Sequence, residues 1–288
     1  MAQVLFDQGV VASTRAFSLA FSENPDAARI QPGTYRLLSA MKASDAVLAL
    51  LNPDNKVQVK VTIVEGFRLT QILDRLSSVT TIPVEDFTAA MVDTAATGLP
   101  AEAGGNYEGW LFPATYTFEP GTTATEMIAT MIRQTLGVLD ARSVAPEDRM
   151  RVLTMASLIE REAGSAEDRP KIARSIYNRL AIDMKLDIDA SVAYGEGIPG
   201  TELTRAIIDS STSPYNLYRH TGLPPTPIAS PGESSIDAVL APADGPWLFW
   251  VTVNLQTGET LFAETYAEHQ VNVAKLREWQ AANPPSDG

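Results

Sequence analysis

Two glutamates and an arginine, Glu160-Arg161-Glu162, close an apolar run that begins near Leu153 and is followed by Gly164. Val152, Met155, Ala156 and Ile159, with Leu153 and Leu158 at the margins, recur at the spacing of a helix that buries a wide face. At about 100° per residue Arg161 points away from that face, and Glu160 and Glu162 fall on its opposite borders. Gly164 is expected to supply the left-handed residue that ends the helix. A carboxyl group at the rim of an apolar stripe is partly dehydrated, which raises its pKa. A general acid working near neutral pH needs that condition. Lifting a glutamate from about 4.3 to about 6 costs roughly 2.3 kcal/mol, which one apolar helix edge can supply. The plainer reading is that both are solvated helical glutamates, the usual fate of the residue type. Two positions apart on a helix, they do not face each other and cannot form a catalytic pair alone.

Other residue types narrow the chemistry. Arg161, Arg169, Lys171, Arg174, Arg179 and Lys185 put six of the 22 basic residues into one short segment. That surface could grip anionic groups, or could be a solvated helix face paired with Glu167, Asp168 and Asp183. Between Glu108 and Phe118 a tryptophan and three further rings lie near a carboxylate, either as stacking platforms for a sugar or as a core-filling turn. There is no cysteine, no nucleophile-elbow serine and no glycine-rich phosphate loop after a strand. His220 and His269 are far apart and lack metal-ligand spacing, so neither a metal nor a cofactor is expected. A net charge of −13 argues against nucleic acid as a partner. What remains is carboxylate chemistry beside basic and aromatic groups, the composition of enzymes that act on glycans.

The elements that must position these groups form an α+β pattern. Residues 2–22 read as a helix or helix pair with Val4, Leu5, Phe17 and Leu19 among its apolar positions. Pro32-Gly33 turns into a strand from Thr34 to Leu38, and Ser44 caps a helix that Pro53 ends. Val57, Val59, Val61 and Ile63 alternate with polar residues as a half-buried strand, and Leu69, Ile72, Leu73 and Leu76 mark another helix. This suggests a small module over 1–82 and a larger domain over 83–288, with 83–147 a less regular connecting segment in which Phe87 to Val92 is helical. Beyond the central helix, Ser165 or Asp168 caps a second helix with Ile172, Ile176 and Leu180 buried at steps of four. A proline-rich loop covers 222–232. Trp247 to Val253 and Thr260 to Phe262 read as a hairpin, and a last helix, Tyr266 to Gln280, packs through Val271, Val273 and Leu276 before a loose tail. The 288 residues contain no run long and apolar enough for a membrane span. Their opening, Met1 to Val11, reads like the middle of a helix, as in a trimmed chain.

Several ordered motifs resemble the MltG (YceG-like) endolytic murein transglycosylases. They are Thr154-Met-Ala-Ser-Leu-Ile-Glu-Arg-Glu162, the run from Arg169 to Leu180, Leu186-Asp-Ile-Asp189 and Tyr194-Gly195. Pro214-Tyr-Asn216, Gly222-Leu-Pro-Pro225, Pro227-Ile228, Pro231-Gly232 and Glu268-His269 continue the order. Upstream, Pro32-Gly-Thr-Tyr-Arg36, Val64-Glu-Gly66 and Glu108-Gly-Trp110 also fit. The resemblance implies a LysM-like N-terminal module, truncated at its start, and a mixed α/β catalytic domain with a lysozyme-like active-site helix. It implies cleavage of nascent peptidoglycan strands between N-acetylmuramic acid and N-acetylglucosamine with formation of 1,6-anhydro ends. It also implies an N-terminal membrane helix, absent from this chain, at the outer face of the cytoplasmic membrane, beside cell-wall synthases (penicillin-binding proteins). The matching position of the acid is Glu162, with Glu160, Arg169, Arg179, Asp189, Tyr194, Tyr215 and Asn216 as candidates for the glycan cleft. Ala190 and Leu217 depart from the family pattern, where proline and threonine are usual, departures that could alter the cleft wall without touching the acid. The alternatives are a water-using muramidase with Asp187 or Asp189 as partner, and a noncatalytic glycan-binding scaffold for synthases.

Overall fold

The computed structural model describes residues 1–284; the expected loose tail lies, from Pro285 on, outside them. Contacts part the chain into two compact units, the smaller made of residues 1–61 and 115–123, the larger of 62–114 and 124–288. The smaller unit opens on α1 (Ala2–Asp7) and α2 (Thr14–Glu23), the expected pair. Leu5 and Phe17 are buried, whereas Val4 and Leu19 face solvent. The Ser13 hydroxyl accepts from the Ala16 N–H and so starts α2. The strand expected over 34–38 is reduced to a single antiparallel bridge, Tyr35 to Lys56, with the Arg36 N–H donating to Asn55 and the Val57 N–H to Thr34. Helix α3 (Ala43–Leu51) starts from Lys42 with no side-chain cap, so Ser44 lies inside it. Phe17, Ala46, Val47 and Leu50 form this unit's core. Strand β1 (Val59–Thr62) keeps the alternation, with Val61 buried, and pairs with β2 (Thr115–Phe118).

The larger unit is mainly helical, so mixed α and β holds for the chain while its sheets stay two-stranded. Helix α4 (Leu69–Val79), counted above with the N-terminal module, buries Ile72, Leu73 and Leu76 within this unit. Short α5 (Val84–Ala90) and α6 (Thr94–Thr97) follow, and then α7 (Ala124–Ala141), an 18-residue helix inside the segment expected to be irregular. Its buried Met127, Ile128, Met131, Ile132 and Leu139 repeat at helical spacing, so the period is present in the sequence.

Helix α8 (Pro146–Glu162) is the centre of the unit, packed by α9 (Arg169–Ala181), α10 (Asp189–Gly195) and α12 (Glu233–Leu240). Between α10 and α12 lies the short α11 (Arg205–Ser210). All eight residues from Val152 to Ile159 are buried, Thr154 and Ser157 included. The one-sided apolar face expected from periodicity is therefore corrected: neighbours enclose the helix all round, and Glu160 and Glu162 stand where it emerges. Its end is also corrected. Ala163, in extended conformation (φ −77°, ψ 121°), closes the helix, and Gly164 is not left-handed. On α9 the stripe holds at Ile172 and Ile176, with Leu180 only half-buried. Strands β3 (Phe249–Asn254) and β4 (Glu259–Ala263) form the expected hairpin, Trp250 opposite Phe262. Helix α13 (Tyr266–Ala282) packs on β3, but Val271 is exposed and Asn272 is the buried residue.

Candidate active site

The end of α8 carries a half-buried glutamate in a protein-lined environment. Burial pushes the Glu162 carboxyl from 4.5 up to about 7, and nearby Asp189 pushes the same way. A hydrogen bond from the Trp250 indole N–H and the charges of Arg161 and Arg179 oppose that rise without cancelling it. The group is thus near half-protonation at neutral pH, on a residue that as a whole is half-buried. Asp189, the first residue of α10, is exposed, and its Oδ1 accepts from the Tyr218 hydroxyl at 2.7 Å. Burial and the neighbouring carboxylates push the Tyr218 phenol upward, keeping it a donor.

Arg179 is almost fully buried and turns inward. Its Nε donates to the Leu248 carbonyl at 2.5 Å, and its Nη1 to the carbonyls of Lys185 (3.2 Å) and Leu186 (2.7 Å). The guanidinium lies over the Phe249 and Trp250 rings, at 5.2 and 5.0 Å from their centroids. One arginine therefore ties the hairpin and the turn before Asp187 to α9.

Glu160 faces away from this group. Its carboxylate accepts from Arg169 Nη2 (3.1 Å), the Gly232 N–H (3.1 Å) and the Ser235 hydroxyl (2.7 Å), and Arg169 Nε also donates to Ser235 Oγ (3.0 Å). Gly232 and Ser235 start α12, where a carboxylate satisfies open backbone donors. Glu65 lies against Gly232 closely enough that any side chain there would collide with its carboxylate.

A second group gathers around Tyr194. Glu108, 4% exposed, accepts the Leu69 N–H at 3.0 and 3.2 Å and is bonded by the Tyr194 hydroxyl. Burial pushes its carboxyl up to about 7, held back by those bonds, by Arg68 and by the Gly109 N–H. Tyr194 meets Tyr215 edge to face at 5.0 Å, Arg68 lies 5.5 Å over the Tyr194 ring, and the Tyr215 hydroxyl pairs with Thr226 Oγ1 at 2.7 Å. Gly195 lets Tyr215 approach α10, since a Cβ there would stand 2.7 Å from that of Tyr215.

Of the candidates, Glu162 and Asp189 come together, and Tyr194 and Tyr215 form one aromatic pair. Glu160 and Arg169 form a separate clamp. Asn216 is fully buried, its Nδ2 donating to the carbonyls of Ile208 (2.8 Å) and Ser211 (3.0 Å). Leu217 is also fully buried, while Ala190 is half-buried on α10. Trp250, Tyr218 and the carboxyl of Glu108 are not among the site residues expected from sequence. Glu108 stands in a recognisable motif, whereas nothing local distinguishes Trp250 from the other hairpin aromatics.

A sequence model of the YceG-like family matches residues 1–275. An endolytic murein transglycosylase of Bacillus subtilis is 33% identical, over 93% of this chain and 79% of its own length. One of Streptococcus pneumoniae is 30% identical over 85% of this chain and half of its own length. A crystal structure of a YceG-like protein from Listeria monocytogenes superposes with a TM-score of 0.65 at 29% identity, covering 94% of this chain and 93% of that one. With its folded core, its motifs and a match over nearly its whole length, the chain belongs to the YceG-like family.

Proposed function

We propose that this protein is an endolytic lytic transglycosylase of peptidoglycan, acting outside the cytoplasmic membrane on nascent strands, with Glu162 as its single acid and base. The observation that carries the reading is the Glu162 carboxyl, raised to about 7 by burial on a residue that is itself only half-buried. Protonated Glu162 gives its proton to the oxygen linking N-acetylmuramic acid to N-acetylglucosamine. The C1–O bond breaks with its electron pair going to that oxygen, and the C6 hydroxyl of the same muramic residue attacks C1. The C6 proton returns to the Glu162 carboxylate, so acid and product are balanced without water. The Tyr194–Tyr215 pair and Arg68 offer a ring face and a cation for the flanking sugars and their substituents.

We assign a LysM-like glycan-binding role to the smaller unit, which has its own helical core. Anchoring and contact with synthases belong to the same reading; among the described residues no helix is long and apolar enough to cross a membrane.

Mass spectrometry of digested peptidoglycan tests the reaction. Anhydro-muramic ends that vanish in Glu162→Gln support it. Reducing ends alone would favour hydrolysis, a second reading that rests on Asp189 lying close enough to influence Glu162. Binding without turnover would favour a scaffold.

A further inference from the structure

We propose that Arg68 and Arg161 form a subsite for a stem-peptide carboxylate, carried by the muramic sugar beside the reacting bond. The inference rests on the transglycosylase reading above and adds what the site recognises besides sugar. Arg161 precedes Glu162 on α8, is exposed, and donates from Nη1 to the Gly66 carbonyl at 3.4 Å. Two residues beyond Gly66, Arg68 donates from Nη2 to the Ile198 carbonyl at 2.9 Å. Its guanidinium lies 5.5 Å from the centre of the Tyr194 ring, which meets Tyr215 at 5.0 Å. The backbone that joins the two cations is fixed. Gly66 is left-handed (φ 77°), its N–H donates to the Ser230 carbonyl at 2.8 Å, and the Ser230 N–H donates to the Phe67 carbonyl at 2.9 Å. A run of contacts therefore leads from the acid, through Arg161 and Arg68, to the aromatic pair.

Among the described residues neither guanidinium forms an ion pair with an Asp or Glu, in a chain of net charge −13. Neighbouring acids are engaged elsewhere. Glu160 gives its oxygens to Arg169, the Gly232 N–H and Ser235. Glu108 accepts the Leu69 N–H with both oxygens, and burial pushes it towards the neutral form. Burial, and then the charge of Arg161, pull the Arg68 pKa down, so the two cations repel and a bound anion would relieve both. Each spends one nitrogen on a carbonyl and keeps further N–H donors of its planar fork for a ligand. Parallel N–H donors of that kind fit a carboxylate. The N-acetylated sugars are uncharged. A strand's charge lies on the peptide carboxylates of its muramic residues, and on a lipid diphosphate only at an end still joined to its carrier. An internal cut meets the peptides.

The probe is an uncross-linked, lipid-free strand in two forms, one with its peptide carboxyls intact and one with them converted to amides. The unaltered protein should show a KM about tenfold higher on the amidated strand. Arg68→Gln and Arg161→Gln should each raise KM on the intact strand by about the same factor and leave it unmoved on the amidated one. Arg161→Lys should recover part of the loss, because it restores the charge without the fork. Equal KM values of the unaltered protein on the two strands overturn the proposal without calling on any variant to fold. Variants that lose equally on both strands overturn it too, since the arginines would then only support the fold. A preference seen only with lipid-linked strands gives the pair to the diphosphate and removes the peptide assignment. Strand affinity of Glu162→Gln, measured by fluorescence anisotropy without turnover, keeps the two readings apart. Carboxyl-dependent binding there, beside an unaltered protein that makes no anhydro ends, sinks the reaction and leaves the subsite standing. Anhydro ends formed alike from both strands sink the subsite and leave the reaction.

Discussion

A carboxyl group that must act as acid and then as base works best when neither state is strongly preferred. Glu162 meets this condition through burial, with Trp250 as counterweight. The same balance makes stability depend on pH. The folded value, about 7, lies above the ordinary 4.5. Between those values the folded protein keeps a proton that the unfolded chain has released. The stabilisation is complete below about 4.5 and is lost as pH rises through 7. Glu162→Gln should therefore lose at least ~10²-fold in anhydro-product formation. It should also be more stable than the native protein at pH 8, by up to about 3 kcal/mol, with no gain at pH 4.5. Urea denaturation at the two pH values measures this, and equal stabilities at pH 8 would mean that the carboxyl is well hydrated. Activity of the native protein should fall above pH 7 as the acid form is depleted.

At the scale of elements, the two carboxylates of one helix end have separate roles. Glu160 joins α8 to α9 through Arg169 and to the start of α12 through Gly232 and Ser235. Glu160→Ala leaves a guanidinium, a backbone N–H and a hydroxyl without their acceptor, at a cost of about 3–5 kcal/mol. Chemical denaturation should show that loss, while the pH limb assigned to Glu162 should stay where it is in the folded fraction. A shifted limb would instead make Glu160 part of the acid's environment. The hairpin is held to α9 by Arg179, which donates to the Leu248 carbonyl and lies over the Trp250 ring.

At the scale of the whole molecule, each of the two compact units has its own core. Phe17, 2% exposed, is the largest buried side chain in the cluster that α1, α2 and α3 form in the smaller one. Phe17→Ala should cost about 3–5 kcal/mol there. Hydrogen exchange should show early opening of residues 1–61 with protection of α8 retained. Loss of protection in both units at once would mean that they unfold as a single cooperative body.

Local pattern is sufficient for the helix pair at the start, the alternation through Val61, the helices around Ile72 and Ile176 and the final hairpin, because each is written in a period of its own residues. The ordered motifs, with Glu162 at the end of the central run, are also visible in the chain. The burial of α8 on every side is not. Which neighbours cover a helix depends on segments far along the chain, so periodicity shows one face where packing supplies several. For the same reason Trp250 and Tyr218 are not legible locally: they join the site from 88 and 56 positions beyond Glu162. Sequence by itself determined which acid was available. Only the tertiary structure decided that this acid is dehydrated, that its companion Glu160 is tied to a helix start, and that an indole stands beside it, since hydration and hydrogen-bond direction are set by what folds against a side chain.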